Sequence, residues 1–155
     1  DPRMMEDIEW MKIALTEAQE AAARGEVPVG AIVVRDREII GRGFNRRETD
    51  GDPLAHAELF AIREAAKAVG GWRLVGTRLY VTLEPCAMCA GALVNSRIDR
   101  LIFGARDPKA GFCGSLGDLV RDSRLNHRLE VTGGILEAEC AELLRSFFRK
   151  LRESS

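Results

Sequence analysis

No apolar run in this sequence approaches the roughly 18–20 residues that cross a bilayer, so no membrane association is expected. No secretory signal pattern opens it. Charge of one sign is missing too. Lys and Arg number 23 against 24 Asp and Glu, a formal net charge of −1, so no global field marks a nucleic-acid partner. Internal repeats and low-complexity linkers are absent, which excludes a solenoid or an extended tail. Histidine is scarce: His56 and His127 are the only two. The four cysteines, Cys86, Cys89, Cys113 and Cys140, are too unevenly spread for a secreted disulfide framework. A cytoplasmic location is therefore expected, where a CxxC pair serves metal binding or catalysis more often than stapling.

What remains is an ordinary globular mixture, 46% hydrophobic and 30% charged over 155 residues. That suits a single domain spanning residues 1–155. Residues 1–5 are expected to be a processing remnant or a disordered start, with Met4 or Met5 as a native beginning. Apolar spacing at Ile8, Met11, Leu15, Ala18 and Ala22 predicts a helix over 6–24, closed by Gly25. VGAIVV (29–34) and EIIGRGF (38–44) predict a hairpin around Asp36-Arg37. A polar loop follows at 45–52. Asp52 and Pro53 read as cap and first turn of a helix from Leu54 to Ala68. RLYVTL (78–83) and RLIFGA (100–105) read as buried strands flanking a helix that Pro85 starts. After a loop-rich 106–127 come a weak strand at 129–134 and an amphipathic helix over 136–152. The alternation predicts an α/β fold, a mixed sheet covered on both faces. Parallel pairing is expected between 78–83 and 100–105, and between 38–44 and 78–83.

The chemistry concentrates in two short stretches. LEPCAMC (83–89) carries Cys86 and Cys89 at i and i+3, which puts both sulfurs on one side of a helix start. Helix N-termini favour thiolates, and two thiolates suit zinc. PLAHAELFA (53–61) adds His56, with Glu58 nearby. Three protein ligands would leave a fourth position for water, the mark of a catalytic zinc. Glu58 is the carboxylate nearest in sequence to a ligand. Residues i and i+2 do not face the same way on a straight helix, so His56 and Glu58 share one site only if the helix end points at it. Two other readings stay open here: a redox CxxC pair, and a closed structural zinc with His127, Cys113 or Cys140 as fourth ligand.

HAE some thirty residues before PCxxC, each opening a helix, resembles the zinc nucleoside and nucleobase deaminase superfamily. Within it the chain is similar to the bacterial tRNA-specific adenosine deaminase family from about Ile8 to Arg152. The likeness lies in EVPVGAIVV (26–34), GFN (43–45), DPLAHAE (52–58), LYVTLEPCAMCAGAL (79–93), FGARD (103–107), NHR (126–128) and FFR (147–149). The resemblance implies a three-layer α-β-α, cytidine-deaminase-like fold with a central five-stranded mixed sheet. It implies one zinc per chain on His56, Cys86 and Cys89, with Glu58 moving the proton. The reaction would be hydrolysis at the C–N bond of a cyclic amidine, adenosine to inosine at the wobble position of a tRNA anticodon. Asn45 would read the purine edge between walls of Val27, Pro28, Val29 and Leu83. Arg46, with Arg47 beside it, would meet phosphate. Phe147, Phe148 and Arg149, in a basic run with Arg145, Lys150 and Arg152, would form a stacking and phosphate platform. Asp107 could accept from a ribose 2′-OH and favour RNA. His127 is expected to be structural or RNA-facing. The family's homodimer points to ALV (92–94) as a contact surface, although packing within one chain explains those residues equally well. The partner is then a tRNA anticodon stem-loop. A deaminase of free guanine, cytosine or a nucleotide, and a non-catalytic zinc-stabilised binding module, are the competing readings.

Overall fold

The computed structural model describes residues 1–154. Along the chain run α1 (Pro2–Ala23), β1 (Gly30–Arg35), β2 (Glu38–Phe44), α2 (Arg47–Asp50), α3 (Ala57–Val69), β3 (Thr77–Leu83), α4 (Ala87–Asn95), β4 (Arg100–Ala105), β5 (Glu130–Gly133) and α5 (Glu137–Glu153). The five strands form one mixed sheet in the order β2-β1-β3-β4-β5. Against one face pack α1 and α5, burying Met11, Ala14 and Cys140 on Ile32, Val34, Tyr80 and Ile102. Against the other pack α3 and α4, burying Ala57, Ala61, Leu93 and Val94 on Val33, Leu79, Val81 and Leu101. Covering on both faces explains why the inner strands read as unbroken apolar runs.

Several boundaries differ from the sequence expectation, each for a local reason. Residues 2–5 are helical, not a disordered start: the Asp1 carboxylate accepts the Arg3 N–H at 3.0 Å and Pro2 takes the first turn. The loop at 45–52 contains the short helix α2. α3 begins at Ala57, three residues late, because Asp52 closes a turn onto the Leu54 N–H at 2.8 Å instead of capping the helix. β2 does not pair with β3. Both run antiparallel to β1, which lies between them. β1 is buried along all but its last residue, whereas β2 exposes Glu38 and Arg42, so β2 takes the edge. The pairing of β3 with β4 is parallel as expected. Leu93 and Val94 are core residues and not a contact surface.

No helix among the described residues is long and apolar enough to cross a membrane. The α1 layer is tied to the sheet by a buried ion pair. Asp7 accepts both terminal nitrogens of Arg100, at 2.9 and 2.5 Å, and the Tyr80 hydroxyl at 2.7 Å. Removing Asp7 leaves the buried Arg100 guanidinium with only the exposed Glu130, 3.0 Å from its Nε, as a charged partner. Asp7→Ala is expected to lower the unfolding free energy by about 3–5 kcal/mol. Urea titration tests this, and a loss below about 1 kcal/mol, the size of a surface pair, would refute it.

Candidate active site

β2, β3 and β4 point the same way, so Phe44, Leu83 and Ala105 all end at one edge of the sheet. Crevices in α/β sheets form at such carboxyl ends. Both α3 and α4 start there. His56 is the N-cap of α3, with extended backbone (φ −88°, ψ 149°), and its side chain caps nothing. Because His56 lies just outside the helix, it escapes the i, i+2 restriction and joins Glu58 at the helix end. Cys86 is likewise the N-cap of α4 (φ −73°, ψ 177°), with Cys89 in the first turn.

These elements bring three donor atoms together. The Cys86 and Cys89 sulfurs lie 3.6 and 3.5 Å from His56 Nδ1. All three ligating atoms fall within 4.8 Å of one another, the one such group among the described residues. A tetrahedral zinc with ordinary Zn–S and Zn–N bonds needs sulfur–nitrogen separations of about 3.6 Å, so the residues fit that ion. Cys113, His127 and Cys140 are not in the group, which argues against a closed structural site. His127 Nε2 instead lies 2.7 Å from the Ile98 carbonyl.

Charge at the site is strongly displaced. Hydrogen bonding from the Cys89 thiol, then from His56, holds Cys86 as a thiolate, with its pKa lowered to about 3 against the cost of burial. The Cys86 thiolate raises His56, again against burial. Cys89 is raised by its bond to Cys86 and by burial. Burial alone accounts for most of the rise in Glu58, which is pushed up to about 7. A carboxyl near neutrality can both take and give a proton.

A cavity of about 200 Å³ opens over this group. Val27, Val29, Asn45, Leu83, Asp107, His56, Glu58 and Cys86 line it. The other expected residues lie elsewhere. Cys89 and Pro28 are buried off the lining. Arg46 is held by Asp50 at 2.9 Å and sits over the Phe44 and Phe60 rings, and Arg47 lines the cavity in its place. Phe147 faces a separate groove with Ala22 and Gly25, Phe148 is exposed, and Arg149 lies 3.6 Å from Glu142. Asn45 braces the wall, giving a hydrogen bond to the Val27 carbonyl at 3.1 Å and accepting one from the Arg47 N–H at 3.1 Å. Sequence reasoning named Arg47 only beside Arg46, and it missed Ala110 and above all Glu84. Glu84 is a buried acid whose pKa burial would raise, yet bonds from Ser115, Asp107 and Cys113 keep it low. A lone acid between Leu83 and Pro85 at the end of an apolar strand was the available signal.

The family model for MafB19-like deaminases matches residues 5–152. The tRNA-specific adenosine deaminase of Bacillus subtilis is 53% identical over 150 residues, covering 97% of this chain and 93% of that one. The chain belongs to this deaminase family. The tRNA-specific adenosine deaminase of Haemophilus influenzae is 51% identical, covering 95% of this chain and 86% of its own. A solved structure from a study of A-to-I editing by tRNA deaminases at the wobble position superposes with a TM-score of 0.84 at 46% identity, covering 88% of this chain and 99% of that one. The three-layer architecture is thus the family's cytidine-deaminase-like fold.

Among the four cysteines only Cys86 is half-exposed, and the others are buried. An ordinary thiol loses reactivity about tenfold per pH unit below a pKa near 8.5. In the metal-free chain, alkylation of Cys86 by iodoacetamide is expected to stay level from pH 8 to 5, because the lowered pKa keeps it ionised throughout. Added zinc should suppress the reaction. A steady fall in rate with pH would count against the thiolate.

Proposed function

We propose that this chain is a zinc-dependent hydrolase that converts adenosine to inosine at the wobble position of a tRNA anticodon. One observation carries the reading beyond family membership. A cavity sized for a single base has the His56, Cys86 and Cys89 donors and the near-neutral carboxyl of Glu58 on the same floor. Anticodon loops present unpaired bases, so a base can be splayed into such a pocket at modest cost.

The residues divide the work as follows. His56, Cys86 and Cys89 hold the metal, one per chain. When bound, zinc supplies the Lewis acidity that lets water ionise near neutral pH. Glu58 takes a proton from the attacking water, delivers it to purine N1 and assists the amine to depart as ammonia. Water adds at the purine C6, the C–N bond to the amine breaks, and inosine remains. Val27, Val29 and Leu83 flank the base, with Pro28 stiffening the wall from behind. Asn45 keeps one amide hydrogen and one lone pair for the purine edge, beyond the two bonds that brace it. Asp107 accepts from the ribose 2′-OH. Arg46 and the α5 residues Phe147, Phe148 and Arg149 meet the flanking RNA outside the cavity. The same reading includes a homodimer, for which α4 offers the exposed Ala87 beside the half-buried Met88 and Gly91, and a cytoplasmic location with its substrate.

The deciding experiment is inosine formation on an anticodon stem-loop with adenosine at the wobble position, run beside free guanine, cytidine and adenosine. Inosine is expected in the stem-loop alone. Glu58→Ala should lose at least about 10²–10⁴-fold in rate while keeping its zinc. Ammonia from a free base with an inert stem-loop would move the chain to the metabolite deaminases. Inertness on every substrate with zinc bound would leave a binding module.

A further inference from the structure

Glu84 is a carboxylate on the cavity wall to which the proposed chemistry gives no task. It is 2% exposed. Its Oε1 accepts the Asp107 N–H at 3.0 Å and the Ser115 hydroxyl at 2.5 Å. Its Oε2 accepts the N–H groups of Cys113 at 3.1 Å and Ser115 at 3.0 Å. Around this clamp the Glu84 N–H donates to the Ala105 carbonyl at 2.8 Å and the Phe112 N–H to the Pro85 carbonyl at 2.9 Å. Cys86 and Gly111 form an isolated bridge, and a Cβ on Gly111 would collide with the Glu84 carboxyl. Residues 84–86, which end on a metal-group sulfur, are thus fastened to the 107–115 loop.

That loop presents Asp107 and Ala110 to the cavity. Its own turn orients Asp107, whose Oδ1 accepts the Lys109 and Ala110 N–H groups at 3.1 Å each. The turn cannot set how far Asp107 stands from Cys86. Beside the Phe112–Pro85 bond and the Cys86–Gly111 bridge, the Glu84 carboxylate is the side chain that spans the two segments, with four bonds. A role in packing alone does not call for an ionised group, since burying a charge is costly. Holding three amides and a hydroxyl does call for one, because only a carboxylate accepts at both oxygens.

We infer that Glu84 is a positioning residue: its carboxylate clamps the 107–115 loop to the Cys86 segment and so holds Asp107 at the ribose of the target nucleotide. The clamp thereby governs substrate capture and the preference for ribose over deoxyribose. This rests on the proposed RNA substrate.

Glu84→Gln keeps the size and turns one acceptor into a donor, while Ser115→Ala removes the hydroxyl bond alone. Each variant and the wild type are assayed on stem-loops with adenosine or 2′-deoxyadenosine at the wobble position. Zinc content and amide hydrogen exchange at residues 107, 113 and 115 are measured alongside. Glu84→Gln should exchange faster at those three amides with its zinc retained. KM should rise roughly 10- to 100-fold with kcat little changed, and the ribose preference should shrink. Ser115→Ala should move the same way by less, which keeps the test valid if Glu84→Gln does not fold. Faster exchange with KM and sugar preference unmoved would make the clamp purely structural and overturn the inference. Loss of zinc and kcat at constant KM would overturn it too. An inert wild type overturns the functional reading and this inference with it. An active wild type matched by its variants overturns this inference alone.

Discussion

The close approach of α3 to the edge of the sheet is what the site rests on. Ala57, Ala61 and Ala65 face the sheet from α3, and Gly41 and Gly43 on β2 lie directly under them. A Cβ on either glycine would run into the helix backbone. Any larger pair would push α3 outward and carry His56 away from two sulfurs anchored on a different helix. Metal coordination tolerates distance errors of only about 0.2 Å. Small residues of β2 and α3 that bear no reactive group therefore set the separations of 3.5 and 3.6 Å between imidazole and thiols.

Four acids are buried, and their surroundings sort them by purpose. Asp7 is offset by a bidentate arginine. Glu26 accepts the Glu48 and Thr49 N–H groups at 3.1 and 2.5 Å, which anchors α2 beside the cavity. Glu84 is met by three amides and a hydroxyl. Glu58 has its own amide, the nearby charge of His56 and the Cys89 thiol set against its burial. The least compensated acid is the one driven to about 7. Well-bonded acids hold helices and a loop in place, and the poorly bonded one is left able to exchange a proton.

Much of the fold was legible because the strands obey a simple rule. A sheet covered on both faces needs continuous apolar strands, and VGAIVV, RLYVTL and RLIFGA are just that. Neighbour relations were harder. Connection order suggested that β2 lies against β3, and only the charges of Glu38 and Arg42 hinted that β2 belongs at the edge. The start of α3 was misread because Asp52-Pro53 has the chemistry of a cap. The true cap is His56, a residue with little capping preference of its own. Arg46 and Arg47 are equivalent in sequence; the position of Asp50, one turn after Arg46, decides which of them stays at the cavity.

By itself the sequence determined the donor set. One histidine, two thiols three residues apart and a nearby carboxylate are atom types that zinc and proton transfer call for, and a chain carries them unfolded, but their spacing alone left a redox pair and a closed structural zinc open. The tertiary structure decided what the donors could do. It brought the ends of two helices thirty residues apart to a single point, buried Glu58, and bound Glu84 across to a loop that had no readable pattern. Those outcomes depend on which faces pack and how closely, and no local rule of sequence states a distance between separate segments.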